Sequence, residues 1–247
     1  MPKYKIFVAK LDLFKNVEVE YLVELLKSVH IVQYQKQETV SFNSRKHSNL
    51  YINYEGLLKL TKIDESGDEV VMSIINKGGV VSPMYFSAHY DICADFVKKT
   101  TMLSFPKDAV NKLLGKSHQF SLNTIKFLAN NVQELMLTSE LLQLKTAKEK
   151  VGWYLAHVKI NHSLELPFSK SLIASYLGMK PESFSRALAE LKKEGVQLED
   201  KKILLKQGNE LCRYCNKVVG SDCTLFNSER CIHNQYYKKY QKKSKQS

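Results

Sequence analysis

LPFSKSLIASYLGMKPESFSRALAELKKEGVQ, residues 166–197, spells two short helices joined by a tight turn, and the rest of the chain is arranged around it. Ser169 can cap the first helix, Leu172, Ile173, Tyr176 and Leu177 fall on one of its faces, and Gly178 stands where a left-handed C-terminal residue is wanted. Met179 and Lys180 make the turn. Pro181 takes the first position of the second helix, where its fixed φ helps and its missing N–H is not needed. Phe184, Leu188 and Leu191 give that helix an inner face. Its outer face carries Glu182, Ser183, Ser185 and Arg186, with Ser169, Lys170 and Lys180 beside them, the set a helix-turn-helix presents to a DNA major groove. Glu182 and Arg186 lie at i and i+4. That spacing sets a carboxylate able to accept from cytosine N4 beside a guanidinium able to take guanine O6 and N7. A surface i,i+4 salt bridge accounts for the same two residues, so the pair alone does not decide between them.

Charge follows the same stretch. The 247 residues carry 37 Lys+Arg against 25 Asp+Glu, a net +12 and a pI near 9.3, which favours a polyanionic partner. Residues 166–247 hold 16 basic and 8 acidic side chains, or +8, whereas residues 1–165 hold 21 and 17, or +4. No apolar leader and no long uninterrupted apolar run occurs, so a cytoplasmic protein without a membrane span is expected. In that reducing compartment clustered cysteines serve as metal ligands or redox groups more readily than as structural disulfides.

The string GMKPESFSRALAEL, the glycine-turned segments before it and the order of elements resemble the CRP/FNR superfamily of bacterial transcription regulators. The resemblance covers residues 10–206 in domain order. It is most specific in the second helix, where Glu182, Ser185 and Arg186 match the E-x-x-S-R pattern of the branch that reads TTGA-type half-sites. Pro181 stands where cyclic AMP receptor proteins have arginine, which points to the FNR-like branch. The resemblance implies an α+β fold: an N-terminal cyclic-nucleotide-binding-like double-stranded β-roll over 1–117, a dimerisation helix over 118–145 and a winged helix-turn-helix over 146–206. A cysteine-rich basic extension over 207–247 lies beyond the family core. The resemblance also implies a homodimer on double-stranded DNA and RNA polymerase as a further partner.

The residues support these elements independently. Tyr21, Leu22, Leu25, Leu26 and Val29 recur at helical spacing after the segment Phe7–Phe14. β-rich runs follow at 31–34, 39–42, 50–54, 57–63, 69–75 and 94–105, punctuated by Gly56, Ser66-Gly67 and Gly78-Gly79, a pattern of many short strands that makes a barrel or roll. From Gln119 to Lys145 one long helix is expected. Leu128, Leu135 and Leu142 repeat every seven residues in it, with Ile125 and Val132 in the second apolar position of the heptad and Ser139 continuing the register; a buried core helix accounts for the pattern too, and the resemblance implies that it is a dimerisation seam. The further apolar residues Phe127, Met136, Leu137, Leu141 and Leu144 imply packing on a second side. Thr146 and Glu149 fit a capping box that opens the next helix after a hinge at Lys145-Thr146. VQLE and KKILL about Asp200-Lys201 read as a two-stranded wing, from which Lys201 can reach phosphate.

Three sensing routes bear on the residues. The family's cyclic AMP site takes a glutamate for the ribose and an arginine-serine pair for the phosphate. The matching stretches here are Ser82-Pro83-Met84 and Tyr90-Asp91, and no arginine lies between Arg45 and Arg186, so cyclic nucleotide binding is not expected. Cys212, Cys215, Cys223 and Cys231 form C-x2-C-x7-C-x7-C with His233 two residues on, a four-thiolate set suited to an iron-sulfur cluster or zinc, with unliganded thiols as the third alternative. Cys93 reads as a small buried residue. Haem in the β-roll stays open, with His30, His47 and His89 available but no C-x-x-C-H attachment motif.

The function expected is therefore a homodimeric transcription regulator on a TTGA-like palindrome, answering to redox state or a diatomic gas. The alternative is a protein-interaction module whose cysteines form a structural zinc clip. No phosphate-cradling glycine loop, HExxH or nucleophile elbow occurs, so an enzyme is not expected.

Overall fold

The computed structural model of the chain describes residues 2–42, 48–63, 65, 67, 69–83, 92–144, 146–160, 166, 168–215, 223 and 231. It divides into two compact units, Met1–Leu137 and Thr138–Ser247. No helix among the described residues is long and apolar enough to cross a membrane.

The first unit opens with α1 (Pro2–Ala9), a 3-10 turn over Asp12–Phe14 and α2 (Val19–Lys27). Eight strands follow: β1 (His30–Tyr34), β2 (Thr39–Phe42), β3 (Leu50–Glu55), β4 (Leu58–Ile63), β5 (Glu69–Ile75), β6 (Val80–Val81), β7 (Ile92–Phe96) and β8 (Thr100–Phe105). They make two antiparallel sheets, ordered β1-β8-β3-β6 and β2-β7-β4-β5. Period-2 alternation decides which core each side chain enters. Tyr51 and Met102 join Tyr34, Phe42, Leu58, Ala94 and Phe96 in one apolar core, to which both sheets contribute. Leu50, Ile52, Leu103 and Phe105 face a second core with Val8, Phe14, Leu22, Leu25, Val110, Leu113 and Phe120 from the helical segments. β3 and β8 are buried on both faces, with the polar Asn53, Thr100 and Ser104 enclosed among their apolar residues. Each of the large side chains shut off from water in these cores contributes roughly 1.5–3 kcal/mol.

The run 94–105 is two strands, because the chain turns at Val97–Lys99, where the Lys98 N–H donates to the Leu57 carbonyl. The helix at Pro2–Ala9 was not legible, since only Tyr4, Phe7 and Val8 of its eight residues reach the core. Cys93 is half-buried: Ile92, Ala94 and Phe96 take the inner face of β7, so alternation turns Cys93 outward. Met84, Tyr90, Asp91, His47 and His89 lie outside the described residues. His30 is an exposed residue at the start of β1.

After α3 (Lys107–Lys116) comes α4 (His118–Leu144), 27 residues long. Its first turns are fixed within the first unit. Phe120 is buried, and the Asn123 amide donates to the Leu13 and Lys15 carbonyls at 3.2 and 2.8 Å. Further along, the exposed apolar side chains recur at heptad spacing: Ile125 is 62 % exposed, Leu128 56 %, Val132 51 %, Leu135 69 % and Leu142 38 %. Met136, expected on a packed side, is as exposed as its neighbour Leu135, whereas Phe127 does pack on the core of the first unit and Leu141 is buried. The Leu144 side chain lies outside the described residues.

The second unit contains α5 (Ala147–Ile160), α6 (Lys170–Tyr176), α7 (Pro181–Lys193) and the hairpin β9 (Val196–Glu199) with β10 (Lys202–Leu205), followed by a 3-10 turn over Glu210–Tyr214. The capping box at the start of α5 is formed in both directions. The Thr146 N–H donates to the Glu149 carboxylate at 2.8 Å, and the Glu149 N–H donates back to the Thr146 hydroxyl at 3.3 Å.

Candidate nucleic-acid interface

The helix-turn-helix is built as its residues require. The Ser169 hydroxyl oxygen accepts from the Leu172 N–H at 3.2 Å and so caps α6. The helix ends at Gly178, whose φ of +62° L side chains rarely adopt, and the Met179 N–H returns to the Ala174 carbonyl at 3.0 Å. Pro181 opens α7, and the Lys180 carbonyl accepts from the Ser183 and Phe184 N–H groups. Ile173, Ala174, Leu177, Phe184, Ala187 and Leu191 are buried, with Leu188 only partly so. Ala187 was missed as an inner residue. Small side chains allow close helix contact but carry little weight in a periodicity count.

What this leaves outside is the candidate reading face. Glu182, Ser185 and Arg186 are exposed on α7, Ser183 is half-buried, and Lys170 and Lys180 are exposed beside them. Ser169 accepts in the cap yet stays exposed, so its hydroxyl proton remains able to donate. Among the described residues no salt bridge joins Glu182 to Arg186; the ion pairs formed involve other residues. The guanidinium and the carboxylate are thus both presented outward. The acidic Glu182 in the first turn and Lys192 and Lys193 in the last also suit the helix dipole. The wing pairs Lys202 with Glu199 across the turn Asp200-Lys201, and the Lys201 carbonyl accepts from the Leu166 N–H at 2.7 Å, so the backbone of the tip is held while the Lys201 side chain is exposed.

One cluster was not anticipated from the sequence. Glu194, the C-cap residue of α7, meets Lys148 at 3.0 Å and Arg213 at 3.5 Å, and accepts from the Tyr214 hydroxyl at 2.5 Å. These donors, the Tyr214 hydroxyl first, hold the Glu194 carboxyl below its ordinary value. Burial and the adjacent carboxylate push the Tyr214 hydroxyl up. A depressed carboxylate adds stability above its unfolded-state value, and that stability is lost as pH falls through the folded value. Glu194→Gln should therefore lower the melting temperature at pH 7, and the gap from the unaltered protein should close below about pH 4.5. A gap unchanged from pH 7 to pH 3 in thermal melts would count against these ion pairs.

Cys212 lies in the turn Glu210–Tyr214 and Cys215 caps it, the Cys215 N–H donating to the Cys212 carbonyl at 3.1 Å. Cys212, Cys215 and Cys223 are half-buried and Cys231 is buried. Among the described residues no group of three His, Cys, Asp or Glu side chains is placed to hold a metal ion.

Residues 137–214 match the family model described as the Crp-like helix-turn-helix domain. The nitrogen fixation regulation protein FixK of Bradyrhizobium diazoefficiens is 27% identical over 175 residues, 66% of this chain and 72% of that protein. The CRP-like cAMP-activated global transcriptional regulator of Mycobacterium tuberculosis is 22% identical over 225 residues, 83% of this chain and 97% of that protein. Among solved structures, FixK2 from Bradyrhizobium japonicum superposes with a TM-score of 0.65 at 21% identity, covering 76% of this chain and 98% of that one, a likeness of fold.

Proposed function

Since this chain belongs to the CRP/FNR family, whose members similar to it are DNA-binding transcription regulators, we propose that it reads a TTGA-like palindrome as a homodimer. The observation that carries this reading is the outer face of α7. Glu182, Ser185 and Arg186 stand exposed on a helix whose opposite face is buried, with Arg186 bound by no salt bridge among the described residues. Arg186 takes the guanine edge of the half-site and Glu182 accepts from the cytosine of the paired strand. Lys170, Lys180 and Lys201 contact phosphates and set the register without reading sequence. The exposed heptad on α4, Ile125, Leu128, Val132, Leu135 and Leu142, pairs with its twin and delivers two reading helices to two half-sites. RNA polymerase is the partner this role requires downstream. The test is stoichiometry: two chains should bind a duplex carrying two half-sites, and a duplex carrying one should bind far more weakly. Equal binding of one chain to either duplex would overturn the dimeric reading.

The signal is proposed to be redox state or a diatomic gas, not cyclic AMP. Support against a cyclic nucleotide comes from sequence, where no arginine between Arg45 and Arg186 is available to clamp a phosphate. Support for a zinc ion or an iron-sulfur cluster is the spacing of Cys212, Cys215, Cys223 and Cys231. Metal analysis of anaerobically purified protein should find one zinc or one cluster per chain, reduced by serine at any of the four positions. Full occupancy in all four serine variants would remove the site.

A further inference from the structure

The 3-10 turn Glu210–Tyr214 is seated on the end of α7 by two separate contacts. The Tyr214 ring lies directly on Gly152 of α5, so close that a Cβ at Gly152 would come within 2.5–2.7 Å of ring atoms, and its hydroxyl donates to Glu194. At the other end of the turn, the Glu210 side chain packs on Gly195, where a Cβ would lie 3.2 Å from its Oε1, and Leu211 between them is fully buried.

Glu194 itself makes no sense as a helix residue. A carboxylate at a helix C-terminus opposes the dipole, and a cation would serve that position better. Its place is explained by what it holds: Lys148 from α5, and Arg213 and Tyr214 from the turn. The turn in question carries Cys212, and Cys215 caps it.

We infer that the Glu210–Tyr214 turn is a working part of the DNA reader: it props the C-terminal end of α7, and chemical change at Cys212 or Cys215 reaches the reading helix through Tyr214 and Glu194. The inference rests on α7 being the helix that reads DNA. Tyr214 and Glu194 are positioning residues in it. Cys212 lies within the turn that Tyr214 seats on Gly152 and Glu210 seats on Gly195, and Cys215 caps it, so in this proposal a group added to either half-buried thiol acts on that seat and loosens the bond from Tyr214 to Glu194.

The test uses the full chain and N-ethylmaleimide as probe. The thiolate sulfur adds to the maleimide double bond, a proton goes to the adjacent carbon, and nothing leaves. Two readouts are taken: hydrogen exchange of the backbone at residues 191–196, and affinity for the two-half-site duplex. Alkylation should speed exchange in that segment and weaken binding by about tenfold, a coupling of ordinary size. The Cys212→Ser/Cys215→Ser protein should change by less than about twofold when treated, which assigns the effect to these thiols and not to Cys93, Cys223 or Cys231. Tyr214→Phe, which only removes the hydroxyl, should already show the faster exchange and respond little to the reagent. Gly152→Ala, which displaces the ring, should reproduce it. Alkylation confirmed by mass at Cys212 and Cys215 with unchanged exchange at 191–196 would overturn the inference, as would a Tyr214→Phe protein that responds as fully as the unaltered one. Exchange that responds as expected in a protein binding no duplex would keep the joint and refute the DNA-reading function.

Discussion

Leu135→Glu should leave a monomer that binds the palindrome no better than a single half-site, with both units still folded. Leu135 is 69 % exposed on α4, so it adds nothing to the core of the first unit and its replacement should not move the melting transition of that unit. In a symmetric seam the change is felt twice. Each chain loses the burial of a leucine, roughly 1.5–3 kcal/mol, and gains a carboxylate facing its twin across an apolar surface, where an uncompensated charge costs about 3–5 kcal/mol. Even the lower ends of those ranges sum to several kcal/mol, which shifts a dimer dissociation constant by more than about a thousandfold. Sedimentation at micromolar concentration should therefore find one species of single-chain mass, and DNA affinity should fall to that of one half-site. A dimer in the variant would move the seam away from Ile125, Leu128, Val132, Leu135 and Leu142.

The second large effect is expected at Arg186. Its alanine variant should lose about 1–3 kcal/mol per half-site, so a dimer should lose between roughly thirtyfold and twenty-thousandfold in operator affinity and relax its preference at one base pair in each half. Because no Glu182–Arg186 salt bridge forms among the described residues, little internal rearrangement offsets that loss. Glu182→Ala behaves differently: the carboxylate repels phosphate wherever the helix lands, so removing it should raise affinity for unrelated duplex while discrimination falls. If Arg186→Ala weakens operator and scrambled duplex equally, Arg186 touches phosphate and the assignment of the reading pair fails with it.

These expectations trace to features that are legible in the sequence. The cap at Ser169, the glycine at 178 and the proline at 181 are local signals, each sufficient for its own turn, and all three are realised. The heptad on α4 was legible for the same reason, since exposure at seven-residue intervals needs only a straight helix. Burial of both faces hid the β3 and β8 pairing, and the division of 94–105 depended on a long-range bond from Lys98 to Leu57. The short β6 strand, Val80–Val81, is too brief to show a period. Hardest to see was the joint of Glu194 with Lys148, Arg213 and Tyr214. It brings together residues up to 66 positions apart in sequence, an outcome of folding that no spacing rule encodes. Tyr154 is similar: its hydroxyl is buried with no hydrogen-bond partner among the described residues, which the spacing of apolar residues in its helix does not reveal.

The central claim is that α7 reads bases while the surrounding lysines hold phosphate, and it is tested most directly by titrating the unaltered protein against a TTGA palindrome and a scrambled duplex of equal length at two salt concentrations. The account predicts that both affinities fall steeply as salt rises, through release of counterions from several neutralised phosphates, while the palindrome keeps a preference of about a thousandfold or more. Equal affinity for the two duplexes at both salt concentrations, or affinity for the palindrome that does not change with salt, would contradict it.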